Sequence, residues 1–172
     1  MRFNTLGNYS QDLCFVVLER GALKVCDFGG SLESTYYQNK KFLDKITDVS
    51  WGVVEQRHFV DAGKEEFEND RLKFFSTVVE CIEEEGSNVL ILSSVLQYIE
   101  EPYELLDNIL KNNFKYILID RTPFSKGPER ITLQVVPPYV YDASYPCHFF
   151  DESIFMQYFS KKEYFPIESF IC

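Results

Sequence analysis

The stretch Val25–Gln38, VCDFGGSLESTYYQ, decides the fold. An apolar run, Leu23 to Cys26, reaches an acid, Asp27. Gly29, Gly30 and Ser31 then make a small-residue turn, and a helical pattern follows from Tyr36. This is strand, turn, helix. Glycines let the backbone bend sharply and approach a ligand closely, and the amides of the next helix's first turn suit a polar or anionic group. The turn is therefore read as a ligand cradle. Thr35 and Gln38 stand in capping-box spacing, which predicts a helix start at Thr35 independently of the glycines.

Composition bounds what the cradle can serve. At 172 residues, 45% hydrophobic and 16% aromatic, the chain can bury one sizeable core and is expected to be a single domain, 1–172. Acids outnumber bases 27 to 17, a formal charge of −10. A phosphate backbone would be repelled, so no nucleic acid is expected as partner. The five cysteines, Cys14, Cys26, Cys81, Cys147 and Cys172, are widely separated and form no C-x-x-C pair. Buried free thiols and no metal site are expected. The apolar runs, such as Cys14–Leu18 and Val89–Leu92, are too short to span a bilayer, and the N-terminus lacks a secretory pattern. The expected localisation is cytoplasmic.

Outward from the cradle the pattern repeats. Residues 1–22 form a lead-in with apolar positions around Leu13 to Leu18, suited to one helix or strand. Helix Tyr36–Ile46 puts Phe42, Leu43 and Ile46 on one stripe. Trp51–Val54 reads as a buried strand ending on Glu55, Leu72–Phe75 as a short strand, and Thr77–Glu80 as a second capping box opening a helix that stops before Gly86. Asn88–Leu92 is an apolar strand ending at Ser93-Ser94. Pro102 suits the first turn of helix Tyr103–Leu110, and strand Tyr116–Ile119 ends on Asp120-Arg121. Strands separated by helices predict an α/β fold, a doubly wound, mostly parallel sheet with helices on both faces. Residues 123–150 read as a loop-rich aromatic segment around an extended piece, Ile131–Val136. Asp151 is predicted to cap a helix through Phe159, and Tyr164–Ile171 to form a last strand.

Ligands of open parallel sheets bind outside the carboxyl ends of the strands. Those ends carry Asp27, Gly29, Gly30 and Ser31; Glu55; Ser93 and Ser94; and Asp120. An acid at the tip of the second strand, roughly 20 residues past the glycine turn, is placed to accept a ribose diol. A nucleoside-type cofactor fits. The turn lacks the G-x-G-x-x-G spacing that admits the pyrophosphate of NAD; S-adenosylmethionine has no phosphate and is served better by a looser turn beside an acid. With D-F-G-G-S, V-V-E, V-L-I-L-S-S followed by V-L-Q-Y-I-E-E-P-Y-E-L-L, I-L-I-D-R-T-P-F and S-Y-P-C-H-F-F, the chain from Leu23 to Cys172 resembles a family of bacterial class I S-adenosylmethionine-dependent methyltransferases associated with surface-polysaccharide gene clusters.

That resemblance implies a Rossmann-like methyltransferase fold acting on a small-molecule or saccharide acceptor. Asp27, Gly29 and Gly30 would line the methionine end of the cofactor and Glu55 its ribose, with Ser94, Val95 and Leu96 along it near the methyl. Family members are longer at both ends, so terminal elements are expected to be missing, and Ser31 and Glu33 stand where class I enzymes carry further glycines. Methyl transfer from a sulfonium is an in-line displacement that needs a base only if the acceptor must lose a proton. Asp120, His148 and Tyr145 are the candidates, and Arg121 is expected to face the acceptor. The alternative is a non-catalytic partner subunit of the same fold with an exposed apolar patch; an oligomer is compatible with either.

Overall fold

The computed structural model describes residues 2–4, 21–32, 34–140 and 142–169. Glu33, Tyr141, Cys14, Cys172 and the run around Leu13 to Leu18 lie outside the described residues. The main sheet is built from β1 (Arg2–Asn4), β2 (Ala22–Phe28), β3 (Asp48–Val54), β4 (Leu72–Phe75), β5 (Val89–Ser93), β6 (Tyr116–Asp120) and β10 (Glu168–Ser169). Their order is β10-β1-β6-β5-β2-β3-β4, and every pairing is parallel, as in Val25 against Val89 and Phe28 against Val54.

Alternate strand residues feed two separate cores, which is why the strands read as unbroken apolar runs. Val25, Trp51, Val53, Ile91 and Leu118 pack with Tyr36 and Leu43 of α1 (Ser34–Leu43) and Val60 of α2 (Arg57–Glu66). Cys26, Val54, Leu90, Leu92 and Ile117 pack on the other face. Their partners are Cys81 of α3 (Val78–Glu85), Leu106 and Ile109 of α4 (Pro102–Leu110), and Phe155 and Phe159 of α5 (Glu152–Ser160). The chain thus lays β3 and β4 to one side of β2 with helices on one face. It then crosses back and lays β5 and β6 to the other side with helices on the opposite face. The fold is α/β and doubly wound, and its order reverses between β2 and β5.

Local chemistry explains the helix ends. Thr77 Oγ1 accepts from the Glu80 amide while Glu80 Oε2 accepts from the Thr77 amide, a complete capping box, and Gly86 closes α3 in the left-handed region. Pro102 opens α4, and Asp151 Oδ1 accepts from the Ile154 amide at the start of α5. Thr35 differs from expectation. It lies inside α1, whose first residue is Ser34, and it is buried, its carbonyl accepting from Asn39 Nδ2.

The segment expected to be a loop-rich stretch instead forms a second sheet, β7 (Phe124–Ser125), β8 (Arg130–Val136) and β9 (Ala143–Asp151), in the order β7-β9-β8. Antiparallel pairing of β8 with β9 supplies the ladder that the flanking prolines obscured, since Pro137 and Pro138 lie in the turn between them. Of the Tyr164–Ile171 strand read from alternation, Glu168–Ser169 is strand and residues 164–167 are not, while Phe170 and Ile171 lie outside the described residues. Among the described residues no helix is long and apolar enough to cross a membrane, and no group of His, Cys, Asp and Glu could hold a metal ion.

Candidate functional site

The site lies at the β2–β5 reversal, where the strand ends diverge. β2 runs into Gly29, whose φ of +72° a side chain rarely adopts, and the Gly29 amide donates to the Val54 carbonyl at 2.9 Å. A Cβ on Gly29 would stand 2.6 Å from Val95 Cγ2, and one on Gly30 would stand 2.7 Å from the Asp27 carboxyl carbon. The bend therefore needs glycine at both positions.

Beneath it Asp27 is fully enclosed. Trp51 Nε1 donates to Asp27 Oδ2 at 3.2 Å, and Oδ1 has no hydrogen-bond partner among the described residues. Burial lifts this carboxyl to about 7, against the opposing effects of the Trp51 N–H and the Arg121 charge; the nearby Glu55 adds to the rise.

Glu55 follows β3 and latches the bend to that strand. Its Oε1 accepts from the Ser31 amide at 3.2 Å and its Oε2 from the Gln56 amide at 2.9 Å. A carboxylate has about four acceptor positions, so half of its capacity is still open. Across the gap, Ser94 and Val95 lead into a 3₁₀ turn, Leu96–Tyr98. Gly29, Glu55, Ser94, Val95 and Tyr98 line a cleft of about 520 Å³, with Val95 lying against Gly29. A larger hollow of about 600 Å³ lies away from the strand ends, by Phe114 and Tyr164. There Lys162 pairs with Asp107 at 2.5 Å and Tyr164 donates to the Phe114 carbonyl at 2.7 Å, and the hollow lies away from the carboxyl ends of the strands, so the smaller cleft is the candidate.

A polar network backs the far wall. Gln97 Nε2 donates to Ser94 Oγ and to the Arg121 carbonyl, both at 3.1 Å. Arg121 Nη2 donates to Ser93 Oγ at 2.7 Å, Arg121 Nε lies 3.2 Å from Asp120 Oδ2, and Ser93 Oγ donates to that same oxygen at 3.3 Å. Three residues at these tips, Ser31, Ser94 and Arg121, hold left-handed φ values of 56°, 54° and 49° without being glycine. Such conformations cost on the order of 1 kcal/mol or more each and persist where the surroundings over-determine them.

The structure thus brings Gly29, Glu55, Ser94 and Val95 to one cleft, with Asp27 and Gly30 beneath the bend and Ser31 tied to Glu55 through its backbone. Leu96 is fully buried in the core behind the wall. Asp120 is buried under Ser93 and paired with Arg121, which is half exposed. Tyr145 packs edge-on against Tyr98 with ring centroids 5.2 Å apart, one layer back from the cleft. His148 is buried in the second sheet, stacked on Phe150, and is not on the cleft wall. Sequence reading did not assign Phe28, Gln97 and Tyr98 to the site. Their position within one turn of the acid, the glycines and the two serines was the available signal.

No protein-family model matches the chain, and no curated protein matches it. Among solved structures, a chain of the "Complex between the Haloferax volcanii Trm112 methyltransferase activator and the putative methyltransferase" is similar over 88% of this chain and 68% of that chain, with 10% identity and a TM-score of 0.45. The likeness is too loose to carry a functional argument.

Proposed function

We propose that this chain binds S-adenosylmethionine in the β2–β5 cleft and transfers its methyl group to a small-molecule or saccharide acceptor, in the cytoplasm and in surface-polysaccharide biosynthesis. The observation that carries the reading is the latch of Glu55 onto the glycine bend, in the cleft that Ser94 also lines. We read the open acceptor positions of Glu55 as the seat of a ribose diol and the bend as the nearest backbone to the amino-acid end.

Asp27 acts from beneath the bend, its charge favouring the ammonium of the methionine end through Gly30. Val95 and Ser94 would stand beside the methyl-bearing end of the cofactor. Holding acceptor and methyl in line supplies the main rate effect, worth about 7–11 kcal/mol in well-oriented systems. Arg121 orients an acceptor bearing negative charge; His148 in the second sheet and Tyr145 behind Tyr98 stand off the cleft, so the reading favours acceptors that need no base for transfer. The fully buried Asp120 serves mainly to hold Arg121.

The test is transfer of labelled methyl from S-adenosylmethionine to nucleotide sugars and saccharides, with Glu55→Ala as control. Label in an acceptor that falls at least ten-fold in the variant supports the reading. A wild-type protein that binds no cofactor at about 1 mM, a limit of roughly −4 kcal/mol, overturns it. The partner-subunit reading is favoured by the exposed apolar strand β8. Cofactor binding without transfer to any acceptor would select it.

A further inference from the structure

We propose that β8 is the docking edge for a second copy of this chain, the two β8 strands pairing antiparallel about a two-fold axis through Leu133. β8 is the outer strand of the order β7-β9-β8 and pairs only with β9 among the described residues. Its alternate side chains Ile131, Leu133 and Val135 share one face and are 62%, 66% and 66% exposed. Exposed edges are normally blunted by lysine, proline, a bulge or a covering element, and the interior of β8 carries neither of those residue types.

Two features identify the occupant as a second copy. The first is register. With Leu133 opposite its own counterpart, Ile131 meets Val135 of the second copy and Thr132 meets Gln134, so apolar pairs fall on one face and polar pairs on the other. The second is charge. Arg130 to Val140 contains no acid, in a chain with 27 acids against 17 bases, so two copies approach here without setting carboxylate against carboxylate.

Tyr139 and Val140, exposed just past the strand, lie beside the paired edge. The pairing also reaches the cleft, because Gln134 of β8 accepts from the Tyr98 hydroxyl at 3.3 Å and Tyr98 forms part of the cleft wall.

Sedimentation or light scattering on the purified chain is expected to give about 40 kDa, twice the 20.2 kDa of one copy, at ~10 µM, above a Kd of order 1 µM. A monomer there overturns the proposal. Leu133→Asp is expected to give the monomer mass with an unchanged far-UV spectrum. Leu133→Cys provides a readout independent of how that variant folds. Opposed Cα atoms lie about 4.5–5.5 Å apart in an antiparallel pair, within disulfide range, so diamide should link residue 133 to residue 133. Ile131→Cys, facing Val135 of the second copy, should not link to itself. A dimer that forms no 133–133 link uses another face and overturns the proposal.

Discussion

At the residue scale, Asp27 sets a conflict between stability and function. Its carboxyl is raised from 3.8 to about 7 by burial, so between about pH 4 and pH 7 the folded protein holds a proton that the unfolded chain has released. Stability from this group therefore falls as pH rises through that window. Asp27→Asn keeps an acceptor for Trp51 Nε1 and removes the buried charge. Its Tm is expected to exceed that of the wild type at pH 8, by a free energy of a few kcal/mol at most, and to converge with it toward pH 4. Its cofactor affinity is expected to fall at pH 8. An equal Tm difference at both pH values, measured by thermal denaturation, would contradict this. Residue identity was legible at the cradle because an acid followed by paired glycines has few uses. It was less legible at Thr35, where the same four-residue pattern that caps α3 at Thr77 lies within a helix that begins one residue earlier. The pattern reports local hydrogen-bonding capacity, and at Thr35 the residue is instead buried inside the helix.

At the element scale, helices and strands meet through glycine contacts that sequence periodicity does not reveal. A Cβ at Gly52 of β3 would collide with Cys81 Sγ of α3 and stand 3.0 Å from the Phe75 ring. Gly52→Ala is therefore expected to destabilise by about 1–3 kcal/mol through overpacking, read as a lower urea midpoint with an unchanged slope. Thr77→Ala removes half of the capping box and is expected to cost about 1 kcal/mol in the same measurement. The five central strands were readable because burial on both faces leaves continuous apolar runs. In the second sheet the extended piece Ile131–Val136, which is β8, was readable; β9 and its pairing were not. β9 carries Pro146 and the polar residues Ser144 and His148, and β8 exposes the apolar face that would ordinarily mark its core. Its pairing partner, rather than its composition, makes the segment a strand.

At the scale of the whole molecule, charge and topology act together. A formal charge of −10 opposes compaction, and at 0.15 M salt the screening length falls to about 8 Å. Tm is expected to rise by a few degrees as salt is added from low ionic strength; an unchanged Tm would mean the acids are dispersed enough not to repel. The reversal of strand order between β2 and β5 fixes where a ligand can enter, and Glu55 is the side chain on which the cofactor proposal turns. The most direct measurement is calorimetric titration of the wild type and Glu55→Ala with S-adenosylhomocysteine. The wild type should bind with measurable heat, and loss of charge-assisted hydrogen bonds, worth about 1.5–3 kcal/mol each, should weaken the variant roughly ten- to hundred-fold. No heat from the wild type, or equal affinity in the two proteins, would contradict a ribose held by Glu55.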